Sequence, residues 1–97
     1  MQQIKLVIKR KKQLAAFALA VDLTINGYPV AAIGNGKSIT LDLNPGWHNI
    51  VLRLNALIPQ EKTIYNVFEH DTMIEFYFNN ISGVMEANFY SLPPGQY

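Results

Sequence analysis

The chain contains no cysteine. That excludes disulfides and thiolate metal sites, and it fits any compartment. Charge is also scarce. Charged residues are 15% of the 97, against roughly a quarter in an ordinary soluble domain. Hydrophobic residues reach 49%, so a disordered chain is excluded. So few charges leave part of the surface apolar, to be covered by a partner chain, a membrane or a second copy. Long apolar runs are missing too. The longest, Leu14 to Val21, is eight residues, and a spanning helix needs about twenty. The start Met1-Gln2-Gln3-Ile4-Lys5 has no basic segment followed by an apolar one, as a secretory leader would. A cytoplasmic location is therefore the expectation, with peripheral membrane contact as its alternative.

Catalytic equipment is thin as well. There are two histidines, too few for an imidazole cluster. No Gly-x-Ser-x-Gly surrounds Ser38, Ser82 or Ser91, so no nucleophile elbow is present. Asp22 and Asp42 fall at outward strand positions rather than forming a shielded pair. Glu69-His70-Asp71 reads as a solvated turn, because adjacent turn residues rarely converge on one ion. The expectation is a non-enzymatic chain with no cofactor and no metal.

The length fits one domain, placed at residues 1–92, with Pro93 to Tyr97 as a frayed tail. A chain of this size buries about 60–65% of its unfolded surface. Net charge is +1, unevenly spread. Lys5, Lys9, Arg10, Lys11 and Lys12 hold five of the eight basic residues. The remainder has three basic residues against seven acids, a net of −4. The N-terminal strand thus reads as a basic edge on a mildly acidic body.

Period-2 alternation runs through the chain. Ile4, Leu6 and Ile8 share one face and Lys5 and Lys9 the other. Val21, Leu23 and Ile25 point inward, then Asn26-Gly27 forms a hairpin dipeptide in which both residues tolerate positive φ. Tyr28 to Ile33 returns, with Pro29 marking an edge or a strand start. Asn35-Gly36 reads as a second hairpin turn. Ile39, Leu41 and Leu43 face inward in the next run. Asn44-Pro45-Gly46 suits a type II turn, and Ile50, Leu52 and Leu54 pair back. Strands follow at 61–68, 72–78 and 84–90. Eight runs at this spacing fit an all-β, mostly antiparallel sandwich of about seven or eight strands, immunoglobulin-like or jelly-roll-like. Residues 13–20 are Ala- and Leu-rich, and three readings stand: a helical turn, an apolar connection over the core, or an exposed apolar tip.

The run Asn26-Gly27, Val30, Asn35-Gly36-Lys37, Pro45-Gly46-Trp47-His48 and its flanking strands resembles PEGA-type and related small bacterial β-sandwich domains. Those carry an IDG…VG…NG(E/K)…L-x-PG-x-H pattern. The resemblance covers residues 21–54, about a third of the chain. It departs at Asn26, where the family often has Asp, and the Pro-Glu-Gly-Ala string is absent. It implies a sandwich with an accessory, non-catalytic role and carries over no site residues.

Three surfaces are candidates for binding. Tyr65, Tyr77 and Tyr90, with Met73 and Val84, occupy outward positions of the late strands. If those strands are neighbours, they form one aromatic patch, which is a sheet-stabilising set, a homo-oligomer interface or a seat for carbohydrate or peptide. Trp47 either caps the core or presents a stacking ring. Lys9, Arg10, Lys11 and Lys12, followed by Leu14 and Phe17, would suit a membrane surface or a protein partner, or else are a solvated strand end. Nucleic acid is not an expected partner. The function read from the sequence is a self-associating structural or protein-interaction module, with a ligand-binding module and a peripheral membrane domain as alternatives.

Overall fold

A computed structural model describes residues 2–14 and 18–93. The alternating segments become β1 (Ile4–Arg10), β2 (Val21–Ile25), β3 (Tyr28–Ile33), β4 (Ser38–Leu43), β5 (Gly46–Leu54), β6 (Gln60–Phe68), β7 (Thr72–Phe78) and β8 (Met85–Ser91). They form two four-stranded sheets, ordered β4-β1-β7-β8 and β3-β2-β5-β6. Every pairing is antiparallel except β1 with β7, which runs parallel. The fold is all-β.

One core lies between the sheets, and the alternation dictates its members. Ile4, Leu6, Ile8, Ile74, Phe76 and Phe78 come from the first sheet; Val21, Leu23, Ile25, Ile50, Leu52 and Leu54 come from the second. Ile39, Leu41 and Leu43 are only partly buried against this core, because β4 is an edge. Met85 is buried and Ala87 partly so, while Phe89, on the same side of the strand, is 48% exposed. β8 leaves the core toward its C-terminal end.

β1 is not the basic edge its composition suggested. It lies inside its sheet, with β4 on one side and β7 on the other. Lys5 and Lys9 stand on the outer face and pair with Asp42 and Glu75. Between them Val7 is buried, flanked in register by Thr40 and Met73. A strand with partners on both sides can carry lysines if its neighbours supply carboxylates at the matching register.

Two expected hairpins are also absent. Asn26-Gly27 does close one, joining β2 to β3 with φ of 52° and 83°. Asn35-Gly36 and Asn44-Pro45-Gly46 instead carry the chain from one sheet to the other, since β4 lies in the first sheet and β3 and β5 in the second. Turn chemistry reverses a chain but does not specify whether it returns in the plane of the sheet or across the core. Gly46, at φ 133°, makes the second of these corners in a conformation that other residues rarely adopt.

The connection after β1 is anchored by Gln13. Its side-chain amide donates to the Phe78 carbonyl at 2.9 Å and accepts from the Phe78 N–H at 2.9 Å. Its backbone makes the reciprocal pair with the Asn35 side chain. Leu14, Ala18, Leu19 and Ala20 are exposed, and no helix forms among the described residues of this segment.

Candidate functional site

The three tyrosines do not form one patch. β6 pairs with β5 rather than with β7, so Tyr65 stands on the outer face of the second sheet. Tyr77 and Tyr90 stand on the outer face of the first. Tyr77 lies beneath the Lys11 ammonium, 5.7 Å from ring centroid to Nζ, and Tyr90 is opposite Met73 in register. Like-for-like alternation identified the outward face of each strand but could not say which strands were neighbours.

Tyr65 has a different aromatic partner. In register, Trp47 is opposite Val67 and Asn49 opposite Tyr65, so Trp47 and Tyr65 are diagonal neighbours on one face. Their rings stack with centroids 5.1 Å apart and planes at 24°. They remain 60% and 66% exposed, with Val67 beside them at 38%. Trp47 therefore does not cap the core. Each ring spends one face on the other, and the pair stands out from the sheet as a ridge.

The strand start beneath this ridge is fixed by a polar chain. The Asn49 N–H donates to Asn26 Oδ1 at 2.9 Å, which leaves the Asn26 amide nitrogen facing His48 Nδ1 at 2.9 Å. His48 Nε2 lies 2.7 Å from the Asn44 carbonyl. A carbonyl only accepts, so Nε2 carries the proton and Nδ1 accepts from Asn26. Asn26→Gly keeps the left-handed turn and removes these side-chain bonds. We expect it to cost about 1–2 kcal/mol, read as a lower midpoint in urea unfolding with an unchanged slope.

The same face carries a groove that sequence reading did not anticipate. The β2–β3 register shifts between Leu23 and Thr24, opening a depression of about 560 Å³ lined by Asp22, Thr24, Pro29, Val30, Val51 and Arg53 among others. Pro29 was its only visible signal. At its end, Arg53 Nη1 donates to Glu61 at 2.8 Å and Nε to Asn55 at 2.8 Å, while Asn55 donates to Asp22 Oδ2 at 2.9 Å.

The basic entry divides. Arg10, expected on the solvated or partner-facing cluster, is buried instead, 1% exposed. It has the same strand parity as Ile4, Leu6 and Ile8, and its long stem continues the core. Its guanidinium donates to the Leu19 and Ile33 carbonyls at 2.6 and 3.0 Å and lies 5.6 Å from the Phe78 ring centroid. Burial lowers its pKa from the ordinary guanidinium range. Lys9, Lys11 and Lys12 are exposed, Lys9 4.0 Å from Glu75, and Leu14 is 91% exposed. Phe17 lies outside the described residues.

At the open side between β6 and β8, His70 Nε2 is 3.1 Å from Ser91 Oγ. Asp71 accepts from the Lys5 N–H at 2.7 Å. Among the described residues no group of three or more His, Asp or Glu is placed to hold a metal, and no helix is long and apolar enough to cross a membrane. No protein-family model, no curated protein and no solved structure matches this chain.

Proposed function

We propose that this chain is a non-catalytic structural or protein-interaction module that self-associates. The observation that carries the reading is the outer face of the β3-β2-β5-β6 sheet. It presents Trp47, Tyr65, Val67 and Val30 to solvent on a chain whose charged fraction is 15%. Exposed aromatics clustered on one face are characteristic of interfaces, while isolated apolar residues are not. We read the paired sheets as a β-sandwich. Its strand order weighs against the immunoglobulin-like kind, in which the first two strands are sheet neighbours, since β1 and β2 lie in different sheets. Sedimentation velocity over a rising concentration series tests the function. Growth from monomer to a larger species by high micromolar concentration is the expected result, and a monomer throughout contradicts it.

A second reading is a ligand-binding module, favoured by the exposed Trp47–Tyr65 stack. Carbohydrate or an extended peptide would dock on the free ring faces. Titration of oligosaccharides against tryptophan emission separates this reading from the first. A lipid-surface role draws on Lys11, Lys12 and the exposed Leu14, and co-sedimentation with liposomes that ignores anionic lipid content contradicts it.

A further inference from the structure

We infer that self-association proceeds through a two-fold dimer in which the Trp47–Tyr65 ridge of each copy seats in the Pro29–Val51 groove of the other. The inference rests on the self-association reading above and specifies its face. Ridge and groove occupy opposite ends of one sheet face. On β5 they are marked by Trp47 and Val51, four residues apart, or about 13 Å along the strand. A two-fold axis lying in the interface plane, parallel to the sheet and perpendicular to the line joining them at its midpoint, turns the two faces toward each other and brings each feature onto its complement. An isologous interface requires this relation, because residue i must meet j while j meets i.

Shape and chemistry agree. The groove, about 560 Å³, falls among surface clefts that seat small molecules, roughly 300–1,000 Å³. The ridge brings two donors, the Trp47 indole N–H and the Tyr65 hydroxyl, which need acceptors once desolvated. The groove brings the Asp22 carboxylate, of which Oδ2 receives one bond from Asn55. A carboxylate accepts several hydrogen bonds, so it can serve both. Arg53 lies opposite Asp22 in register and is bonded to Glu61, so the groove end carries one cation and two carboxylates, and the ridge adds no charge.

The area suits a reversible dimer. β5 and β6 each span nine residues, about 30 Å, and four strands side by side span about 19 Å. β2 and β3 are shorter, at five and six residues, so the face is about 470 Å² per copy, or roughly 950 Å² in total, at the size of weak, transient contacts just under the roughly 1,000 Å² of a specific interface. A weak dimer that forms with rising concentration is the expectation.

Trp47 is the only tryptophan, so its emission reports on the ridge directly. The test dilutes the full chain through its sedimentation transition while recording that emission, with Trp47→Ala and Val30→Lys as ridge and groove variants. Far-UV circular dichroism confirms that each is folded. The expected result is a shift of emission to shorter wavelength that coincides with dimer formation. Each variant should weaken the dimer about thirtyfold or more, because each change acts twice in a two-fold contact. Mixing the two variants should restore part of the association, since the Val30→Lys copy supplies an intact ridge and the Trp47→Ala copy an intact groove. Association with unchanged emission overturns this inference and leaves self-association through another face. A monomer at every concentration overturns both. An emission shift on adding chito-oligosaccharide or an extended peptide to the monomeric chain, without dimer formation, assigns the face to a ligand and overturns the dimer.

Discussion

Replacing Arg10 with alanine is expected to destabilise the fold by about 3–5 kcal/mol, the range for large buried side chains. Two losses combine. The side chain is almost fully enclosed, so its removal opens a cavity beneath the connection that follows β1. Its guanidinium also donates to the Leu19 and Ile33 carbonyls, and the loss of that partner accounts for about 1–3 kcal/mol of the total if water cannot enter. Arg10→Met separates the contributions. It fills most of the volume without a donor, so its cost should be intermediate. Arg10→Lys keeps the charge but not the planar fork that spans two carbonyls, and should also fall short of wild type. Urea unfolding of the three variants measures the order. Equal stability of Arg10→Ala and wild type would mean that this arginine does not close the core.

Phe76→Ala is expected to cost about 3–5 kcal/mol as well. Phe76 is fully buried and sits opposite Arg10 in the parallel β1–β7 register. Its carbonyl accepts from the Lys11 N–H at 3.0 Å, where β1 leaves the sheet. Truncation there removes core volume at the only parallel pairing among the described strands. That pairing joins residues some sixty-six positions apart, so no hairpin holds it together locally. The loss should appear as a lower denaturation midpoint and as faster hydrogen exchange in β1 and β7 before β2 and β5. Phe76→Leu retains most of the volume and should cost well under half as much.

These two positions also show how far the sequence could be read. Alternation located the strands to within a residue or two, because side-chain period and burial are local properties. Ile4, Leu6 and Ile8 were legible as one strand face, and Val21, Leu23 and Ile25 as inward residues of the next. Strand partnership was not legible. Asn35-Gly36 and Asn44-Pro45-Gly46 have the composition of hairpin turns and act as corners between sheets. Whether a reversal stays in plane is decided by which apolar faces meet, a long-range property that turn residues do not encode. Arg10 was misplaced for a related reason. A basic residue next to Lys9, Lys11 and Lys12 looks solvated unless its strand parity is weighed above its charge.

The candidate site followed the same division. Trp47 and Tyr65 were each recognisable as outward aromatics, but their stacking depends on β6 pairing with β5. The separation of Tyr65 from Tyr77 and Tyr90 has the same cause. The groove beside Pro29 depends on a register shift between β2 and β3, and a bulge of one residue leaves little trace in composition.

Hydroxyl-radical footprinting of the full chain at low and at high concentration compares the two outer faces in one measurement. Trp47, Tyr65, Pro29 and Val30 are expected to lose reactivity as concentration rises, while Tyr77 and Tyr90 keep theirs. Protection of Tyr77 and Tyr90 with Trp47 unchanged, or no protection at either face, would contradict the ridge-and-groove dimer.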